Sequence, residues 1–189
     1  MTSVVGICNR ALAKIGDEIS ITSIDDGSKA ARYCKLLYAD VRDYLLRSYP
    51  WRFALKQWRL SPKDEKPTFG FEYAFQLPGE CLSVWRAENP QNDYAVIGRT
   101  VHADETVFGF IGCARIEDPS LFDAMFSEAL ALRLAYELVP ALAGDLNLKN
   151  LLIQEFQARV KEARRASAIE SQRTVVNINP DWISAHYGA

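Results

Sequence analysis

Apolar side chains recur at helical spacing from the start of the chain, at Val4, Val5, Ile7, Cys8, Ala11, Leu12 and Ile15. Thr2 or Ser3 can cap this helix, and Gly16 stops it. Residues 17–27 read as a loop pinned by its isoleucines, with Asp25-Asp26-Gly27 as a turn. Ser28 opens a second helix that runs to about Tyr49, ahead of Pro50. Ala30, Cys34, Leu37, Val41, Tyr44 and Leu45 form its apolar face; Lys29, Arg32, Lys35, Arg42, Asp43 and Arg47 occupy the other side. A third helix is predicted from Asp118 as N-cap and Pro119 at the first helical position, ending at Leu138-Val139-Pro140. Asp123, Ser127, Arg133 and Glu137 share one polar strip, whereas Leu121, Met125, Ala129, Leu132, Tyr136 and Val139 lie opposite. A helix apolar over most of its girth is buried by several neighbours, so this one is expected at the centre of the core. Asp145 or Asn147 caps a fourth, with Leu148, Leu152, Phe156, Val160 and Ala163 inward.

Between the second and third helices the period falls to two. Phe69, Phe71, Tyr73, Phe75 and Leu77 alternate with smaller or polar residues; Cys81–Arg86 and Tyr94–Ile97 read as further strands, with Gly98 to Val101 able to prolong the latter. Thr106–Ala114 is strongly apolar, and Gly109 and Gly112 permit close backbone approach. The fold class expected is α+β and mainly α-helical: a four-helix core with a small antiparallel β region inserted between helices 2 and 3. Residues 1–172 make one domain, with the β excursion over about 69–115. Residues 173–189 form an arm, because Trp182, Ile183 and Tyr187 return large apolar groups to a stretch that had lost them.

The net charge of −2, spread along 189 residues, argues against a dedicated nucleic-acid surface. Cys8, Cys34, Cys81 and Cys113 are isolated in apolar company, which suggests packed, reduced thiols; with only two histidines, no metal or other cofactor is expected. The opening residues lack a signal-peptide pattern and no uncharged run spans a bilayer, so a cytosolic product without membrane association is expected. No phosphate loop, dinucleotide fingerprint or nucleophile elbow occurs. Cys113 or Cys81 with His102 would make a dyad only on paper, and Glu72, Glu80, Asp104, Glu105 and Glu117 supply carboxylates that a glycosidase pair could use. Glu128 falls on the apolar side of helix 3 and calls for a buried cationic partner, Arg32 or Arg42. The arginines and tyrosines of helix 2 fit a solvated face and a contact surface equally. The interface candidates are Arg32, Tyr38, Arg42 and Arg47, with Trp182 and Tyr187 in the arm.

Five stretches, taken in order, resemble the tail tubular protein A family, the head-to-tail adaptors of short-tailed phages and related prophages. They are Ala11–Gly16, Ile24–Arg32, Tyr38–Ala54, Tyr73–Leu82 and Asp118–Phe126. The resemblance covers roughly Val4 to Ala168. It implies a non-enzymatic, mainly helical subunit with a small β region that forms a twelvefold ring with itself beneath the portal protein. It further implies contact with a downstream tail or nozzle protein, transient passage of DNA through the lumen, and residence at the head–tail junction of the virion after synthesis in the host cytoplasm. The alternative is a virion-associated peptidoglycan hydrolase, for which the carboxylates Glu72, Glu80, Asp104 and Glu105 are the motive.

Overall fold

The computed structural model describes residues 2–16 and 20–172. Among these residues four α-helices and six strands are found, with the strands between the second and third helices as expected. Helix α1 (Val4–Lys14) starts where Ser3 Oγ accepts from the Gly6 N–H at 3.0 Å, and ends at Gly16, whose φ of 76° only glycine adopts freely. Helix α2 (Lys29–Ser48) is capped by Ser28, which accepts from Ala31 N–H at 3.1 Å. At its far end the indole Nε1 of Trp51 donates to the Leu45 carbonyl at 2.8 Å, satisfying an acceptor that the helix itself leaves open.

The third helix departs from expectation at both ends. Asp118 caps only a single 3₁₀ turn, Pro119–Leu121, and α3 (Ala124–Leu142) is capped by Asp123, which accepts from Met125 and Phe126 N–H. Two aspartates five residues apart each satisfy a separate helical start. Leu121 and Met125, assigned to the buried side, are exposed for that reason: they precede or open the helix rather than lying within it. The helix also passes Pro140, whose missing N–H falls in the last turn, and is closed by Gly144 at φ 70° with its N–H on the Val139 carbonyl at 2.7 Å. Within these bounds α3 is the central helix, packed against α1, α2 and α4, with Phe126, Leu130, Leu132, Leu134 and Leu138 inaccessible. Helix α4 (Leu146–Gln172) starts from Asp145, which accepts from Asn147 and Leu148 N–H, and buries Leu152, Val160 and Ala163.

The β region starts earlier than predicted. Strand β1 (Leu55–Leu60) pairs antiparallel with β6 (Phe108–Ala114), which also pairs with β3 (Cys81–Ala87). A second sheet has the order β2 (Tyr73–Gln76), β5 (Thr100–Ala103), β4 (Tyr94–Ile97). Gly98, at φ 60°, reverses the chain between β4 and β5, so the predicted prolongation is a two-residue hairpin turn followed by a separate antiparallel strand. Gly70, at φ 90°, takes Phe69 and Phe71 out of the predicted strand and leaves Phe69 at the surface. The two sheets enclose a core of their own, in which Phe75 and Tyr94 meet Phe108 at 5.7 and 5.3 Å between ring centroids. Helical and β cores are thus separate clusters.

Candidate interaction surfaces

Helix α2 carries most of the predicted contact residues, and the structure divides them. Arg32 and Arg47 are exposed. Tyr38 and Arg42 are buried in the isolated chain, at 6% and 7% exposed. Tyr38 sits on the inward arc beside Ala31, Cys34 and Val41, because position 38 falls one turn after Cys34. Burial pushes its phenol up to about 12, with Cys8 adding to the shift and Arg42 opposing it. Arg42 is held where the helices meet the β region: its guanidinium binds Asp43 at 2.8 Å and approaches Glu117 at 3.9 Å. Arg115, just after β6, reaches the other oxygen of Asp43 at 2.7 Å. The basic side of α2 is further neutralised by Lys35 on Asp25 at 2.6 Å, while Lys29 Nζ donates to the Ala141 carbonyl at 2.7 Å. What α2 leaves open is partly apolar, with Leu36 and Tyr44 exposed.

Glu128 does not meet Arg32 or Arg42. Its partner is Lys14, in the last turn of α1, at 2.7 Å, and the two side chains remain 34% and 24% exposed. The apolar arc of α3 is interrupted at the rim of the α1–α3 contact, where a lysine stem can lie along the helix and still hold its ammonium near water. The burial expected of Glu128 is therefore only partial. Trp182 and Tyr187 lie outside the described residues, as does the rest of the arm.

Sequence reasoning missed two polar features and one cation cluster. Asn9 clasps the backbone of Ile21, donating to its carbonyl at 2.9 Å and accepting from its N–H at 2.8 Å, which fixes the loop that the isoleucines were expected to pin. Arg99 donates to the carbonyls of Cys81 (2.6 Å) and Pro78, tying the β4–β5 hairpin to the turn before β3. Arg133 stacks over Tyr44 and Tyr136, both at 5.0 Å, while pairing with Glu137 at 2.6 Å. Only the i, i+4 spacing of Arg133 and Glu137 is a sequence signal; the rest is made by distant segments.

Of the residues suggested for catalysis, Asp104 and Glu105 share an open concavity with Gln91, Asn92 and Asp93, whereas Cys81 and Cys113 are not brought to His102. His102 is on β5 and contacts Thr100 Oγ1 at 3.4 Å, whereas Cys81 and Cys113 belong to the other sheet, so no dyad forms. Burial raises both thiols, Cys113 to about 12, and Cys113 donates to the Leu46 carbonyl at 3.1 Å. The hydrogen bond with Cys34 and burial likewise raise Cys8, so this thiol is packed in its protonated form. Among the carboxylates, Glu80 is bound by Lys56 at 2.6 Å and lowered by it, the opposite of what a general acid requires. Asp104 accepts from the Glu72 N–H at 2.8 Å, and Glu105 accepts from Asn92. Asp25 and Asp26 serve the turn before α2, where Asp26 accepts from Ser28 N–H at 3.0 Å. Among the described residues no group of three or more His, Cys, Asp or Glu side chains is placed to hold a metal ion, and no helix is long and apolar enough to cross a membrane.

Of the open concavities among the described residues, one of about 290 Å³ is lined by Gln91, Asn92, Asp93, Asp104 and Glu105, and two others are larger. One, of about 400 Å³, lies on the β1–β6–β3 sheet, between the Trp58–Phe110 stack and the Arg59–Glu88 ion pair, with Arg86 at its side. The other, of about 360 Å³, is bounded by Trp51, Arg52 and Phe53, by the start of α3, and by Ala163 and Ala166 of α4. The exposed apolar side chains of the β region include Trp85, Val96 and Ile97; the last two belong to β4, an edge strand of its sheet. No protein-family model matches the chain, and comparison with curated proteins gives no match.

Proposed function

We propose that the chain is a non-enzymatic adaptor subunit of a tailed phage or prophage, assembling as a ring beneath the portal and linking it to tail components. The observation that carries this reading is an aromatic joint. The stretches Tyr38–Ala54 and Asp118–Phe126, both of which resemble the adaptor family, are separated by more than sixty residues and pack directly on one another. Trp51 meets Phe126 at 5.1 Å, and Phe53 meets Phe126 at 5.0 Å and Phe122 at 5.9 Å. The resemblance thus falls on residues that set the angle between α2, the entry to the β region and α3. Such an angle defines the shape of a repeated subunit.

On this reading the helices form the ring wall, and the β region or the arm engages the next component. Exposed Leu36 and Tyr44 on α2, and Val96 and Ile97 on the β4 edge, supply apolar surface on both units of the fold. Aromatic and aliphatic anchors of this kind concentrate binding energy. Conduction of DNA requires weak contacts rather than a basic lumen, in keeping with the net charge of −2. Particle mass in solution, with and without a purified portal ring, tests the proposal. A ring-sized gain in mass on the portal is expected. A chain that stayed monomeric with its cognate portal, and was missing from phage particles, would overturn it.

A further inference from the structure

We propose that, in the unassembled subunit, the segment around Trp182 and Ile183 folds back into the concavity bounded by Trp51, Phe53 and Met125 on one side and α4 on the other. The site is shaped for an apolar guest. Its volume of about 360 Å³ lies within the roughly 300–1,000 Å³ typical of pockets that enclose apolar groups. Ala163 and Ala166 keep the α4 wall low, and Met125 stands 40% exposed on the opposite rim.

The chain's own course supplies the guest. Ala166 is six residues before Gln172, where α4 ends, which at a helical rise of about 1.5 Å per residue is about 9 Å. The ten residues from 173 to 182 can span roughly 33 Å when extended. The groove is therefore within reach of position 182. A segment tethered so closely has an effective concentration on the order of millimolar, which favours it over the same segment of a second molecule in dilute solution.

Charge agrees with this guest. Asp123 lines the groove, but its carboxylate is spent on the N–H groups of Met125 and Phe126. Arg52, on the same rim, is exposed and unspent by any carboxylate among the described residues. Asp181 immediately precedes Trp182 and brings the complementary charge. The groove would be vacated when the arm finds a stronger site on a partner. The inference stands apart from the adaptor reading, because it concerns the isolated chain.

Disulfide trapping in the full-length protein tests it. Met125→Cys and Ile183→Cys are combined; Cys8, Cys34, Cys81 and Cys113 are buried and do not compete under mild oxidation. An intrachain bond is expected, at a rate independent of protein concentration and slowed at least about tenfold by adding Trp182→Ala. No bond, a bond only between chains, or a rate indifferent to Trp182→Ala would each overturn the proposal. Hydrogen exchange provides a readout without new cysteines. In the full-length Trp182→Ala/Ile183→Ala variant, amides of Phe53, Ala54 and Met125 should exchange at least about threefold faster than in the wild type. Unchanged exchange there would also overturn it. A chain that forms the bond yet fails to mount on the portal would keep this inference and lose the adaptor proposal.

Discussion

Tyr38→Phe should stabilise the protein. The Tyr38 side chain is 6% exposed, and its hydroxyl has no hydrogen-bond partner among the described residues. Burying a hydroxyl without a partner costs about 1–3 kcal/mol. Phenylalanine keeps the ring and its contacts with α1 and α2, so the gain is not offset by a cavity. For a chain of 189 residues, each kcal/mol moves Tm by roughly 2–4 °C, so an increase of roughly 2–12 °C is expected at pH 7. The alkaline limb provides a second signature. The folded-state phenol is raised to about 12, against about 10 in an unfolded chain. Its neutral form therefore contributes fully below pH 10, and that contribution is lost as pH rises through 12, because the unfolded state releases its proton first. Wild-type stability should fall across this window relative to the variant, widening the gap. Urea melts at pH 7 and pH 11 measure both effects. A variant less stable than the wild type by 1 kcal/mol or more would mean that the hydroxyl makes a bond, and the reasoning would fail.

Glu128→Gln should cost about 0.5–1.5 kcal/mol, well below the roughly 3–5 kcal/mol of breaking a fully buried pair, because Lys14 and Glu128 remain partly in water; a loss above about 3 kcal/mol in urea melts would contradict the half-exposed geometry. Gly112→Ala should cost about 2–4 kcal/mol, since a Cβ there would stand 2.6 Å from the Ser83 carbonyl and 2.9 Å from the Phe110 and Trp58 rings. Gly109→Ala should be milder, about 1–2 kcal/mol, because the colliding group is chiefly the exposed side-chain end of Glu88 rather than backbone; equal melting of the two variants would refute the distinction. Stability should also fall on acidification below about pH 4. Asp26 is lowered by Ser28, Asp118 by the Ser120 N–H, Glu80 by Lys56 and Glu88 by Arg59. Each folded-state value lies below its unfolded one, so the contribution is present above the unfolded pKa and disappears as pH drops through the folded one. Urea midpoints from pH 5 to pH 2 should show that slope, reduced in Asp26→Asn; identical slopes would remove Asp26 from the account.

The helices were legible because their causes are local. Ser3, Ser28 and Asp145 cap within three residues of themselves, Gly16 stops a helix by its own backbone freedom, and the apolar period of 3.6 marks the inward face of α2. That much of the chain determined four helices with strands between the second and third. Strand β1 was not legible, because Leu55-Lys-Gln-Trp-Arg-Leu60 has no clean alternation and becomes a strand through partners at 108–113. The choice between Asp118 and Asp123 as the start of α3 was equally hidden: both are good caps, and the burial of Phe122 and Phe126 against Phe53 sets the register. For the candidate surfaces the division is sharper. Composition marked α2 as rich in arginine and tyrosine, but one side of a helix looks alike whether it faces solvent or a neighbouring element. Only the arrival of Arg115 and Glu117 beside Arg42 and Asp43 completed the ion-pair group there, and only the nearness of α1 gave Lys14 to Glu128. Caps and periods are written within a few residues; pairings between side chains far apart in sequence exist only once packing has brought their backbones together.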